Sequence, residues 1–336
     1  MSRTLSIVLL ASMGLAACHE TERPHVAFLL STLHEDRYQK DVKFFEARAT
    51  ALGLAVTTNA ADNDAATQLA QVQKALDRGA KVLVIQPTDS SEASNYVRLA
   101  HERGAKVIAY DRAIVASDLD YYVSHDSYRV GVLQAEAALR ATGGKGSYVL
   151  LGGQAGHSVT TEITRGYKDT LAPYIARGEV RIVLEQNHSA WSAEQALGTV
   201  EDALKTGHVD AILANNSGMA RGAVQAIAAA GLDHVFIAGA DADAANVNLL
   251  CQGKQTIEVK KDIEPLARTA ADVAHQLALG QRVEGGSSMA LAGMPVPVAN
   301  VHVELVTPEN VKSLIVDSGF LSAEALPACK SRLAVK

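Results

Sequence analysis

Aromatic side chains are scarce. They make up 4% of the 336 residues, and Trp191 is the single tryptophan, so an aromatic found in a polar loop carries unusual weight. Basic charge is not in excess: 31 Lys and Arg face 37 Asp and Glu, for a net charge of −6 with the signs interspersed. That argues against a nucleic-acid binder, which needs a basic stripe. Long apolar runs are missing after residue 17, because charges interrupt every later stretch well short of the roughly 20 residues that span a bilayer. Catalytic signatures are missing too. There is no GxSxG elbow for a hydrolase nucleophile, and GGQAGHS (152–158) lacks both the GK[ST] of a phosphate loop and GxGxxG spacing. DADAAN (241–246) opens like a calcium loop, but Ala245 and Asn246 break the continuation. His34, His125, His157 and His188 fall near strand ends without a tight ligand spacing. Neither an enzyme activity nor a metal or cofactor is expected.

What is present begins with a leader. Arg3 precedes an apolar run from Leu5 to Ala17, the length of a signal-peptide core, so residues 1–17 read as an export signal and 18–24 as a tether. The leader ends in Leu15-Ala16-Ala17-Cys18. Cys18 has three readings: a free thiol, a disulfide partner, or a lipid attachment site. The tetrapeptide resembles the lipobox of bacterial lipoproteins, which implies that Cys18 is acylated and becomes the new N-terminus. More than one acyl chain gives a stable anchor. The expected location is the periplasm or cell surface, held to a membrane through Cys18. Cys251 and Cys329 remain, and in an oxidising compartment their simplest fate is a disulfide tying the C-terminal tail to the body. The alternative is two independent buried thiols.

From Val26 onward short apolar runs alternate with amphipathic stretches. The runs VAFLL (26–30), LAVTT (54–58), VLVIQ (82–86) and KVIAY (106–110) predict strands. Between them, Leu69, Val72, Ala75 and Leu76 recur on one helical face, and Gly53, Gly79 and Gly104 close helices before the next strand. Strand and helix alternating at this spacing predict a parallel sheet covered on both faces. The pattern then restarts with GSYVLLGG (146–153), VRIVLEQ (180–186), VDAILANN (209–216) and HVFIAGAD (234–241), followed by TIEVKK (256–261) and VANVHVEL (298–305). Two rounds predict two similar α/β lobes. The join runs through DYYVSHDS (120–127), which reads as strand, so the chain passes between lobes in extended form and makes a hinge. The expected boundaries are 25–123 plus 260–294 for one lobe and 126–257 plus 297–328 for the other.

In open parallel sheets ligands bind beyond the carboxyl ends of the strands. The segments there, including STLHEDRY (31–38), DRAI (111–114), GGQAGHS, NHSAW (187–191), NNSGMA (215–220) and DADAAN, offer guanidinium, carboxylate, amide, hydroxyl and aromatic groups. That mixture suits a neutral polyhydroxyl ligand. Arg and Asp satisfy vicinal hydroxyls, and an aromatic ring covers the apolar face of a pyranose.

HEDRYQKD, GAKVLVIQP, KVIAYDR, YVSHDSYRVG, HSAWSAEQAL, AGADAD and VKKDI, in this order over residues 24 to 320, resemble the type I periplasmic sugar-binding proteins of ABC transporters, the xylose binders most of all. The resemblance implies two Rossmann-like lobes joined by three hinge segments and closing on a monosaccharide. It implies sugar-binding roles for Arg37, Tyr38 (where the family usually has tryptophan), Arg112, Trp191, Asn216, Asp241 and Lys261. For Asn216 the alternative is a helix N-cap; for Lys261 it is that Lys260 faces inward instead. One departure stands out. Where the xylose binders carry an Asp and Asn pair after the second-lobe GG, this chain has His157 and Ser158 and is one residue longer, and Ser217 replaces an aspartate. His157 and Ser158 are therefore expected to retune which hydroxyl pattern is satisfied. The implied partners are an aldopentose or aldohexose and an ABC permease, with a monomeric chain and no nucleic acid. The competing reading is a sensor that presents bound sugar to a chemoreceptor or histidine-kinase ectodomain.

Overall fold

Strands whose residues are apolar on both faces must be covered on both faces, and this dictates the architecture. The computed structural model describes residues 23–334 except 35, 116, 117, 284, 285 and 292; the leader, most of the tether and Cys18 lie outside the described residues. The elements in chain order are β1 (His25–Leu30), α1 (Asp36–Ala51), β2 (Ala55–Ala60), α2 (Ala65–Asp77), β3 (Val82–Ile85), α3 (Ser94–Glu102), β4 (Lys106–Tyr110) and β5 (Tyr121–His125). They continue with α4 (Ser127–Ala141), β6 (Gly146–Gly152), α5 (Ser158–Ala176), β7 (Val180–Asn187), α6 (Ala193–Thr206), β8 (Ala211–Ala214), α7 (Ser217–Ala229) and β9 (Phe236–Ala240). The last are α8 (Ala244–Cys251), β10 (Ile257–Lys261), α9 (Ile263–Ala278), β11 (Ser287–Leu291), β12 (Met294–Val301) and β13 (Val303–Val306).

Two sheets result. One runs β11-β12-β5-β4-β3-β1-β2 and the other β13-β10-β9-β8-β6-β7. Within each, five strands share one winding, since β2-β1-β3-β4-β5 corresponds to β7-β6-β8-β9-β10, all parallel. The strand order reverses at β1/β3 and at β6/β8, and a ligand crevice forms at such reversals. These are the two similar α/β lobes that the sequence predicts.

In the first lobe α1 and α9 cover one face, where Phe28, Phe45, Tyr110 and Leu266 are fully buried, and α2 and α3 cover the other. Val72, Ala75 and Leu76 are the buried stripe of α2, with Leu69 partly buried beside them. Asp64 caps this helix by accepting from Thr67 N at 2.6 Å. In the second lobe α4 and α5 cover one face and α6 and α7 the other. Helices α4 and α5 touch backbone to backbone: a Cβ on Gly131 would lie 2.1 Å from the Ile163 carbonyl oxygen, and one on Gly166 2.3 Å from that of Tyr128. The C-terminal tail packs on α8 through Val306, Val311, Ile315 and Leu326, and the sulfurs of Cys251 and Cys329 are bonded at 2.03 Å.

The chain crosses between lobes three times, after β5, β10 and β12. The second and third crossings fall at 262 and 302, later than the boundaries near 258 and 295 that the sequence suggests. Lys260 and Lys261 thus remain in the second-lobe sheet, while Val298–Val301 pair with β5 in the first. The run VANVHVEL is two strands of two sheets, split at His302. Both sheets ask for the same apolar pattern, so a change of partner leaves no mark in it. The crossings are lashed together: Asp126 N donates to Val301 O at 3.1 Å and His125 Nε2 to Asp262 O at 3.0 Å.

Candidate functional site

Between the lobes, the carboxyl ends of β4, β9 and β10 and the N-termini of α1, α5 and α7 surround a cleft lined by Arg37, Tyr38, Asp111, Arg112, Val159, Trp191, Asn216, Asp241 and Lys261. Seven of these nine are residues the sequence singles out. Asp111 and Val159 are additions, and Asp111 carries a readable signal as the first residue after β4.

Arg37, one residue into α1, is the central cation. Its Nη2 lies 3.1 Å from Asp111 Oδ1, its Nε 3.5 Å from Asp41 Oδ2, and its Nη1 reaches across the cleft to 3.9 Å from Asp241 Oδ1. Burial works against the charge on Arg37, but Asp111 and Asp41 outweigh it and hold the guanidinium protonated. Arg112 is fixed on its own lobe: Nη1 donates to Ser31 Oγ at 3.0 Å and Pro87 O at 3.3 Å, and Nη2 to Tyr38 Oη at 3.3 Å. Opposite, Lys261 Nζ lies 2.6 Å from Asp241 Oδ1. Lys260 turns away to Asp262 and Glu304, both at 3.3 Å, so Lys261 is the lysine of the cleft. Burial pushes the Asp111 carboxyl up, while Arg37, Lys261 and Arg112 pull it down further, to about 2. Burial raises Asp41, behind Arg37, to about 6 against the pull of Arg37, and Tyr110 Oη donates to it.

The loops that present these groups are strained and braced. Asp111 has φ 61°, Trp191 58°, Asp241 110° and Ala242 57°, conformations that non-glycine residues keep only where surroundings enforce them. The Asp111 carbonyl accepts from both Tyr122 Oη (2.9 Å) and Ser124 Oγ (2.8 Å). Ala242 N donates to Glu258 Oε2 at 3.0 Å. Glu258 also accepts from Ser217 Oγ and Gln255 Nε2, and burial nonetheless raises its carboxyl to about 8. Sequence reasoning missed Glu258, whose place on a buried strand gives no sign that its side chain supports a loop.

Trp191 lies flat on the backbone of Gly153, where a Cβ would approach the indole to 2.4 Å. Asn216 is an N-cap, its Oδ1 accepting from Met219 N at 2.8 Å at the start of α7, and it also lines the cleft. His157 and Ser158 are not among the lining residues. Ser158 Oγ accepts from Ala113 N at 2.8 Å and His157 Nε2 lies 3.1 Å from Thr88 O, both in the opposite lobe.

Three cations (Arg37, Arg112, Lys261) face Asp111 and Asp241, with Asp41 behind. A charged ligand would leave one of these groups unmatched, whereas a hydroxyl both donates and accepts and suits either sign. Arg37 Nη2 and Asp241 Oδ1 are buried without an aligned hydrogen bond. Among the described residues no cluster of three or more His, Cys, Asp or Glu is placed to hold a metal ion, and no helix is long and apolar enough to cross a membrane.

The chain matches the periplasmic binding protein domain over residues 26–282. It is 35% identical over 298 residues to the D-xylose-binding periplasmic protein of Escherichia coli, covering 88% of this chain and 90% of that protein. To the protein of the same description from Haemophilus influenzae it is 34% identical over 304 residues, covering 90% and 91%. Its fold superposes with a TM-score of 0.84 on a carbohydrate transporter solute-binding protein of Chloroflexus aurantiacus in complex with D-glucose, at 28% identity, covering 91% of this chain and all of that one.

Proposed function

The chain is a member of the type I periplasmic sugar-binding proteins, and from that premise we propose that it captures a neutral monosaccharide, an aldopentose or aldohexose, by hinge closure and delivers it to an ABC permease while anchored through a lipid on Cys18. The single observation that carries this reading is the convergence of groups of both charge signs from both lobes on one cleft: Arg37, Asp111 and Arg112 from one, Trp191, Asn216, Asp241 and Lys261 from the other. A ligand that touches both sets is bound more tightly by the closed form, and that difference in affinity drives closure. The groups do separate work. Arg112, Asp241 and Lys261 grip hydroxyls through charge-assisted hydrogen bonds, and Trp191 and Tyr38 supply ring faces for the C–H surface of the sugar. No bond is made or broken.

The xylose binders named above and the glucose-bound fold neighbour support a monosaccharide of five or six carbons. Calorimetric titration of the purified protein with a panel of pentoses, hexoses and polyols tests the proposal. Saturable heat from at least one monosaccharide is the expected result; no heat from any member overturns it. Metabolic labelling with a fatty acid tests the anchor: label retained in the wild type and absent from Cys18→Ser is expected, and no label in either contradicts it.

A further inference from the structure

The resemblance to the sugar binders implies that His157 and Ser158 face the ligand. In the structure each makes a hydrogen bond to the backbone of the other lobe. Ser158, the first residue of α5, accepts from Ala113 N at 2.8 Å, in the loop after β4. His157, just before it, reaches Thr88 O at 3.1 Å, in the loop after β3. A carbonyl can only accept, so Nε2 carries the proton and Nδ1 keeps its lone pair. The indole N–H of Trp191 can only donate, and it lies 3.1 Å from that Nδ1. One neutral tautomer therefore satisfies both neighbours, with the two rings 6.1 Å apart and inclined by 29°.

We infer that His157 and Ser158 form a latch that favours lobe closure independently of the sugar. Both latch bonds join protein to protein, one being made by Oγ and the other by Nε2, and neither residue lines the cleft. Burial supports the neutral state, drawing the His157 imidazole down to about 3. A contact that touches no ligand atom cannot distinguish one sugar from another. It raises the fraction of molecules in the binding-competent state, and the apparent affinity for every ligand rises by the same factor.

That uniformity separates a latch from a sugar contact. In the variant His157→Leu/Ser158→Ala, dissociation constants are expected to rise roughly tenfold, as suits the loss of the two neutral hydrogen bonds between the lobes, and by one factor for all sugars that bind. A factor that differs between pentoses and hexoses, or no change at all, overturns the inference. His157→Gln, which keeps one donor and one acceptor, is expected to recover most of the loss, and failure to do so while the variant remains folded counts against the tautomer argument. This affinity test rests on the monosaccharide reading, so a second measurement is made without sugar: the distance distribution between spin labels placed one on each lobe. The closed fraction is expected to fall roughly tenfold in the double variant, and an unchanged distribution overturns the latch. If no sugar binds the wild type, the proposed function fails while this second arm still decides the latch.

Discussion

At Arg112 the guanidinium satisfies Ser31, Pro87 and Tyr38 on its own lobe, so it is already oriented before any ligand arrives. A hydrogen bond to a charged group contributes about 1.5–3 kcal/mol. Arg112→Ala is therefore expected to weaken monosaccharide binding roughly thirtyfold, measured by calorimetry, with little change in circular dichroism. Titrating residues give a second expectation, in which the sign differs by group. His125 and His157 are both drawn by burial to about 3, whereas an unfolded histidine protonates near 6.5. Their contribution to stability is present above about 6.5 and is lost as pH falls toward 3. Glu258, raised to about 8, works the other way: its contribution is present below the ordinary glutamate value of about 4.3 and is lost as pH rises toward 8. Asp41, raised to about 6, partly offsets the histidines between its ordinary value of about 3.9 and about 6. The melting temperature should therefore be highest near pH 6.5, fall toward pH 8, and drop steeply below pH 4. Glu258→Gln should flatten the alkaline limb, and a melting temperature that climbs from pH 6.5 to 8 would refute the assignment.

Elements show where sequence reading works and where it stops. The strands β1, β3 and β4 were legible because their apolar runs are continuous, and the helices between them because Gly53, Gly79 and Gly104 all take positive φ at their ends. The segments that hold Arg37, Arg112, Trp191 and Asp241 followed from the rule that binding residues sit past strand ends, while the choice of these residues within them came from the family resemblance. The aim of a side chain did not follow. His157 and Ser158 are polar residues just past β6, yet they face the opposite backbone, and only the packing of two lobes decides that. Likewise the switch of partner at His302 is invisible, since Val301 and Val303 look alike in either sheet. The C-terminal tail offers a prediction at this scale. The disulfide between Cys251 and Cys329 spans 78 residues, and the loop-closure estimate for such a span is about 4 kcal/mol. Cys251→Ser/Cys329→Ser should lower the melting temperature by several degrees and expose the tail to protease while leaving sugar affinity nearly unchanged, because the bond lies away from the cleft-lining residues. Equal proteolysis of the variant and the wild type would contradict this.

On the scale of the whole molecule, three extended crossings at 126, 262 and 302 allow two rigid lobes to move as units. The contacts between His125 and Asp262 and between Asp126 and Val301 keep those crossings together, so motion is expected to be a rotation about one axis and not a sliding of lobes. In the proposed closure the cleft would act as a clamp, with Arg112 and Asp111 on one jaw and Asp241 and Lys261 on the other. Trp191, the only tryptophan, sits in the second jaw and reports on what enters. Titrating its fluorescence with the preferred monosaccharide in the wild type, in Arg112→Ala and in Asp241→Ala tests the clamp most directly. The account predicts a saturable change in the wild type and roughly a thirtyfold loss of affinity from either substitution, one on each lobe; wild-type affinity in either variant would contradict it.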